Sequence, residues 1–282
     1  MIIDHKSIEL FGRKIFEKVT LAPPFKTMGA LNNQACFIHI IEGKYGSVSE
    51  TDSLEIESQE SLLGICGNYL VRFKELKNSN KHQAITIHFY PDVLLKVYND
   101  KLPDFLKNGN STKVGMTIVD SDILIDKYIS TILMYFENPS LVSEEMMILK
   151  LKEIIILLDQ TKNNPVIRNI LSNLFNRSNH SFREIIEAQY YTNVTLEELA
   201  FLTNKSLSAF KREFVETYKE APASYLRNKK LDRSLELLNL TDLKAKEIAE
   251  KCGFADVSHF SKTFKKQYKT SPMKYKVSYF DR

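Results

Sequence analysis

The final third of the chain contains one unit twice. Thr195-Leu-Glu-Glu-Leu-Ala200 lies over Lys244-Ala-Lys-Glu-Ile-Ala249 at an offset of 49. One residue is then gained, so that Ser208, Phe210, Phe214, Tyr218, Lys219, Pro222 and Tyr225 fall on Ser258, Phe260, Phe264, Tyr268, Lys269, Pro272 and Tyr275. A duplicated unit constrains a fold strongly, because whatever packs one copy has to pack the other. Each copy places a small alanine where two helices would cross closely, and a phenylalanine pair at the i, i+4 spacing of one helix face. The unit reads as a short supporting helix, a turn and a second helix.

In the first copy the supporting helix is predicted over 197–202, behind Thr195 or Leu196, with Thr203-Asn204-Lys205 as the turn. Ser206 then caps a helix to about Tyr218. In the second copy Gly253 supplies the turn, and Asp256 or Ser258 opens the next helix. With the phenylalanine pairs inward, Ser208, Ala209, Lys211 and Arg212 face outward in one copy. Val257, Ser258, His259, Ser261 and Lys262 do so in the other. Outward side chains on the N-terminal half of such a second helix are those that enter a major groove. Arg212 and Lys262 occupy equivalent places and suit bidentate contact with guanine. Lys205, Lys211, Lys265, Lys266, Lys269, Lys274 and Lys276 suit phosphates, which give affinity without sequence discrimination. Between the copies, Pro222 to Leu240 reads as one helix that would hold the two readers roughly 34 Å apart, one turn of DNA.

Charge follows the same division. The net charge is +4, yet residues 183–282 hold 19 Lys and Arg against 14 Asp and Glu, while the first 182 hold 20 against 21. Only the C-terminal part is expected to meet a polyanion.

From about Phe16 to Val119 the chain shows short apolar runs separated by turn residues. Strands are predicted at 36–41, 62–66, 69–73, 84–90 and 113–119, with turns at Gly43, Gly46, Gly64, Gly67 and Asn68 and one helix over about 93–106. Ile85, Ile87 and Phe89 alternate with Thr86, His88 and Tyr90, the period of a half-buried strand. Such strands favour an antiparallel sandwich or barrel. Helices are then predicted over 121–138, capped by Ser121 or Asp120, from Ser143 to about Gln160, and over 164–176. Arg177 to Ser181 is the expected linker. The fold class expected is α+β, with a domain over 1–176 and an all-helical one over 182–282.

The helix after Ser143 is apolar on nearly every side, with one polar stripe through Glu145, Lys152 and Asp159. A helix lying on one domain normally keeps a polar half. It is either buried among neighbours or shared with a second subunit. The expectation adopted is a homodimer contact, through Met147, Leu151, Ile154 and Leu158.

The second copy, Ala249-x-x-x-Gly253-Phe254-x-Asp256-x-Ser258-x-Phe260-Ser261-x-x-Phe264-Lys265-Lys266, then Ser271-Pro272-x-x-Tyr275, closely resembles the signature of AraC/XylS-type transcription regulators. Ala221-Pro222-x-x-Tyr225-Leu226-Arg227 resembles that family's first unit and linker helix. The likeness covers about 182–279. It implies base reading by Ser208, Lys211 and Arg212 in one helix and by Val257, Ser258, Ser261 and Lys262 in the other. It implies phosphate contact by Lys205, Lys265, Lys266 and Lys269. His259 replaces the family's tyrosine before Phe260, and Lys219 replaces its glycine after Tyr218. The N-terminal part is similar to the family's cupin-like sensory domains, which implies a β-barrel with dimerisation helices. The stretches 135–139 and 149–153 look like the subgroup of type III secretion activators, and imply control by a protein rather than by a sugar.

Catalysis is not expected. His39 and His88 read as isolated histidines. Cys36, Cys66 and Cys252 lie far apart, without a Cys-x-x-Cys pair, and read as buried thiols. No nucleophile elbow, phosphate-cradling loop or metalloprotease motif is present, so neither metal nor cofactor is expected. The longest apolar run, 154–158, is far below the roughly 20 residues of a membrane helix. No leader pattern opens the sequence, so a cytoplasmic location is expected. The reading is a sequence-specific transcription activator. Its expected partners are double-stranded DNA, a second copy, RNA polymerase, and an effector molecule or regulatory protein at the N-terminal domain.

Overall fold

The computed structural model describes residues 2–23, 25–73, 81–107, 114–120, 123–161, 164–175 and 181–280. The chain divides into two compact units, Met1–His180 and Ser181–Arg282.

The first unit is built on one antiparallel sheet. In chain order its strands are β1 (Ile2–Leu10), β2 (Arg13–Leu21), β3 (Phe25–Glu42), β4 (Lys44–Val48), β5 (Ser53–Glu57), β6 (Ser61–Phe73) and β7 (His82–Phe89). After them come helices α1 (Pro91–Val97) and α2 (Asp104–Lys107), then β8 (Met116–Val119). The spatial order is β1-β2-β7-β3-β6-β4-β5, with β8 beside β6. β4 and β8 share one edge of β6, at opposite ends of it. Three helices follow: α3 (Ile123–Glu137), α4 (Glu144–Asp159) and α5 (Asn164–Ser172).

Each face of the sheet carries its own apolar cluster. Phe16, Phe37, Ile85, Ile87 and Phe89 pack with α1 and α3–α5 on one side. Leu21, Ile40, Tyr45, Ile56, Phe73 and Ala84 fill the other. The alternation expected in β7 is therefore present, but its second face is covered too: His88 is only 8% exposed.

Several expectations change here. Gly64, Gly67 and Asn68 do not break the chain, and the two runs expected around them form the single strand β6, paired along its length with β3. A Cβ on Gly64 would lie 3.3 Å from the Tyr69 hydroxyl, so this glycine makes room for a ring within the ladder. The helix expected over 93–106 is two short ones, separated by Asn99 and Asp100 with positive φ. β1 carries mostly polar, exposed residues and has no apolar period to announce it; pairing with β2 makes it a strand. The expected cap Ser121, the start of the 113–119 strand, the end of the 164–176 helix and residues 177–180 of the expected linker lie outside the described residues. So does the side chain of Cys66. Ser181, placed in that linker, instead caps the next helix reciprocally with Glu184.

Ser143 caps α4 by accepting from the Met146 amide at 3.2 Å. Met147, Leu151, Ile154 and Leu158 are at most 1% exposed and sit in the core of their own unit. They are unavailable to a second subunit, which corrects the contact expected of them: side chains already sealed inside one chain have no surface left to share. The outward apolar residues of this helix are Leu149 and Ile156, 59% and 50% exposed.

The second unit is all helical. It comprises α6 (Phe182–Ala188), α7 (Leu196–Leu202), α8 (Leu207–Tyr218), α9 (Pro222–Leu240), α10 (Ala245–Lys251), α11 (Val257–Tyr268) and α12 (Pro272–Phe280). Among the described residues, no helix is long and apolar enough to cross a membrane.

Candidate nucleic-acid interface

The sequence repeat is a structural repeat down to single hydrogen bonds. The turn between α7 and α8 runs through Asn204 at φ 55°, and that between α10 and α11 through Gly253 at φ 70°. In the first turn Lys205 N–H donates to Ala200 at 2.8 Å and Asn204 N–H to Phe201 at 2.9 Å. In the second Phe254 N–H donates to Ala249 at 2.9 Å and Gly253 N–H to Glu250 at 3.0 Å. Asparagine and glycine are the residues that visit the left-handed region at least cost, which is why these positions carry them.

The cores repeat as closely. Phe210 and Phe214 meet as tilted rings at 5.6 Å, and Phe260 and Phe264 meet edge-to-face at 5.7 Å. The second ring of each pair meets a tyrosine on its own helix, Tyr218 or Tyr268, at 4.6 Å in both units. It also meets a tyrosine on the following helix, Tyr225 at 5.6 Å or Tyr275 at 5.7 Å. All four phenylalanines are fully buried. Burying them on one face fixes by rotation which residues point outward.

Ser206 caps α8 through the Ala209 amide at 3.3 Å, and Asp256 caps α11 through the His259 amide at 2.7 Å. The alternative start at Ser258 is thereby excluded. The expected base-reading positions then appear on the outside. Ser208, Lys211 and Arg212 are exposed on the first half of α8. Val257, Ser258 and Lys262 are exposed on α11, and Ser261 is half-buried. Lys211, Arg212 and Lys262 form no ion pair among the described residues, so their charges are free to meet an anion.

The cations expected at phosphates divide. Lys265 and Lys266 are exposed. Lys269 is exposed too, caps α11 in the left-handed region at φ 62°, and donates from Nζ to the Lys266 carbonyl at 3.2 Å. Lys205 is already engaged: its ammonium lies 2.7 Å from Glu213 and over the Phe182 ring. Lys276 donates to the Thr241 carbonyl at 2.7 Å and holds the loop before α10. These two departures share a cause. A lysine's stem is long enough to reach an acceptor inside its own unit, and residue type alone does not reveal that.

One polar cluster of the first unit was not foreseen. His88 lies 2.7 Å from Glu17 and 3.1 Å from the Cys36 sulfur, and His5 meets the same carboxylate at 2.7 Å. Hydrogen bonding to His88, helped by His5, holds the Glu17 carboxyl down at about 2 against the opposing effect of its burial. His88 is thus not isolated. Burial, reinforced by the Glu17 charge, pushes the Cys36 thiol far above its ordinary range, so the cysteine is no nucleophile. His39 is a packed histidine with its ring nitrogen 2.9 Å from Ser61 Oγ.

Comparison with known proteins agrees with this geometry. Residues 199–277 match a family of helix-turn-helix domains, and residues 35–170 match the ExsA N-terminal regulatory domain. The regulator ExsA of Pseudomonas aeruginosa is 23% identical over 44% of this chain and 45% of its own length. The virulence regulon transcriptional activator VirF of Yersinia enterocolitica is 21% identical over 59% of this chain and 61% of its own. Each match spans less than two thirds of the relative. Among solved structures, the C-terminal domain of the two-component response regulator yesN from Fusobacterium nucleatum is 33% identical, covering 34% of this chain and 93% of that one, with a TM-score of 0.32. The chain is thus similar, in two separate parts, to proteins that join a regulatory domain to a helix-turn-helix domain.

Proposed function

We propose that this protein is a sequence-specific transcription regulator that sets α8 and α11 into successive major grooves of one duplex. The observation that carries the reading is the equivalence of Arg212 and Lys262. Each is an exposed cation, unpaired among the described residues, on a separate copy of one frame, in the half of the helix that meets base edges. Ser208, Lys211, Val257, Ser258 and Ser261 complete the two reading faces. Lys265, Lys266 and Lys269 supply phosphate contacts, with Lys205 held back by Glu213.

Activation is supported by the relative VirF, a transcriptional activator, and contact with RNA polymerase is proposed as its route. The N-terminal unit is proposed to receive the signal, as the match to a regulatory domain supports, and also to dimerise. Leu149 and Ile156, two helical turns apart on the exposed side of α4, are the residues proposed for the second copy. The signal reaches this unit as a small molecule or as a protein. A melting temperature raised by metabolite pools identifies the first, and one changed only by a co-expressed polypeptide the second.

Arg212→Ala and Lys262→Ala are each expected to weaken binding to the cognate duplex by about 1–3 kcal/mol and to relax base choice at one position. Quantitative binding to cognate and random duplexes checks this. Equal losses on both would end the base-reading assignment.

A further inference from the structure

The two readers do not share an apolar core. Ile186, Leu199, Phe210, Phe214 and Leu226 close one cluster. Leu231, Leu238, Ile248, Phe260 and Phe264 close another. α9 gives Leu226 to the first and Leu231, Leu237 and Leu238 to the second, so it passes from one core to the other between 226 and 231. Lys230 stands at that passage. Its ammonium donates to the carbonyl of Thr192 at 2.8 Å, in the segment between α6 and α7 of the first reader. It donates also to the carbonyl of Gly253 at 2.6 Å, in the turn of the second.

The two backbones meet closely at the same place. A Cβ on Gly253 would fall 2.3 Å from the Tyr191 carbonyl oxygen and 2.8 Å from the Thr192 carbonyl carbon. Burial pushes the Lys230 ammonium down to about 8, so at neutral pH it keeps its proton and remains a cation between two acceptors. Charge-assisted hydrogen bonds are directional and stronger than neutral ones. An apolar contact between rounded surfaces would leave the angle between the readers far less defined.

We infer that Lys230 is a positioning residue that clasps the first reader to the turn of the second, and thereby sets the half-site spacing the protein accepts on a duplex. The inference rests on the two-reader function proposed above. Two linked modules outperform either one only when geometry lets both engage at once. A looser junction therefore costs affinity for the properly spaced site and tolerates others.

The probe is a duplex selected from a random library by the full-length parent protein. Versions with one half scrambled, and versions with one or two base pairs added or removed between the halves, accompany it. Lys230→Met keeps the bulk of the stem and loses the donors. It is expected to bind each half as the parent does, to lose roughly tenfold on the intact duplex, and to accept altered spacings nearly as well as the original one. Lys230→Arg, a cation able to reach both carbonyls, is expected to recover the spacing preference. Lys230→Gln carries the same comparison if the methionine variant does not refold. A neutral variant that keeps the parent's spacing preference overturns the inference. So does an equal loss on halves and on the intact duplex. Failure of the parent itself to prefer its selected duplex over random DNA would instead undo the two-reader function, a separate outcome scored before any Lys230 variant is made.

Discussion

In the first reader the supporting helix starts on Thr195, whose hydroxyl accepts from the Glu198 amide at 3.2 Å while Glu198 accepts from the Thr195 amide at 2.8 Å. In the second it starts on Lys244, which has no acceptor to offer, and only the return bond from Lys244 N–H to Glu247 survives, at 2.7 Å. The turns differ likewise. Asn204 and Gly253 share one backbone conformation, but Asn204 is exposed, whereas Gly253 is buried with the Tyr191–Thr192 backbone pressed against its Cα. The ring distances in the two cores, by contrast, agree to within about a tenth of an ångström for the three pairs compared above. Packing of large aromatic groups therefore defines this unit, while caps and turns are exchangeable as long as some residue satisfies the backbone. The turn of the second reader also forms the junction, held from outside by Lys230 and by the Tyr191–Thr192 backbone.

Four pairs of substitutions press on this contrast. The largest effect is expected from Phe214→Ala and Phe264→Ala, each about 3–5 kcal/mol, because a ring leaves a void in a core too small to collapse around it. Amide exchange should open in the mutated reader first and leave the other protected; uniform opening would show that the two cores melt as one. Next, Gly253→Ala should cost about 2–3 kcal/mol, since it adds both a left-handed alanine and an overlap with Tyr191. Asn204→Gly should be close to neutral. Thermal melting of the pair checks the asymmetry, and equal penalties would refute it. Third, Thr195→Ala should lose about 1 kcal/mol, and Lys244→Thr should gain about as much by completing the half-formed cap. No gain at Lys244 would mean that solvent already satisfies that helix end. The smallest change is expected at the ends of α8 and α11. Lys219 at φ 58° and Lys269 at φ 62° occupy a region that suits glycine, and Lys219→Gly and Lys269→Gly should each add about 0.5–1 kcal/mol. Denaturant midpoints measure both, and a loss at either would show that the lysine side chain contributes more than its backbone costs.

The readers were legible in the residues because everything that builds them is local. An i, i+4 phenylalanine pair, a small residue at the helix crossing, a capping hydroxyl or carboxylate and a permissive turn residue all act within a dozen positions, and their recurrence at a fixed offset removed the ambiguity of a single pattern. The exposure of Ser208, Arg212, Ser258 and Lys262 follows from that local geometry alone. The family's usual glycine after Tyr218 is absent, yet Lys219 takes the same left-handed conformation, so the backbone requirement outlasts the residue that ordinarily meets it.

The sheet was less legible for the opposite reason. β1 is a strand because β2 lies beside it, and Gly64 and Gly67 stay in β6 because β3 pairs across them. The β1 partners stand up to 19 positions away and those of Gly64 and Gly67 stand 28 and 36 away, and propensity along the strand itself does not encode them. α4 shows the same limit: its composition announced an apolar surplus, but which stripe faced inward depended on where the sheet and α3 were. Packing also decided what two of the lysines do. Lys205 and Lys230 have the composition of ordinary surface cations, and their placement beside Glu213 and between two carbonyls arose only when the helices had packed. Periodic apolar spacing is written residue by residue, whereas the reach of a flexible charged stem is settled by whichever acceptor the finished fold brings within 3 Å.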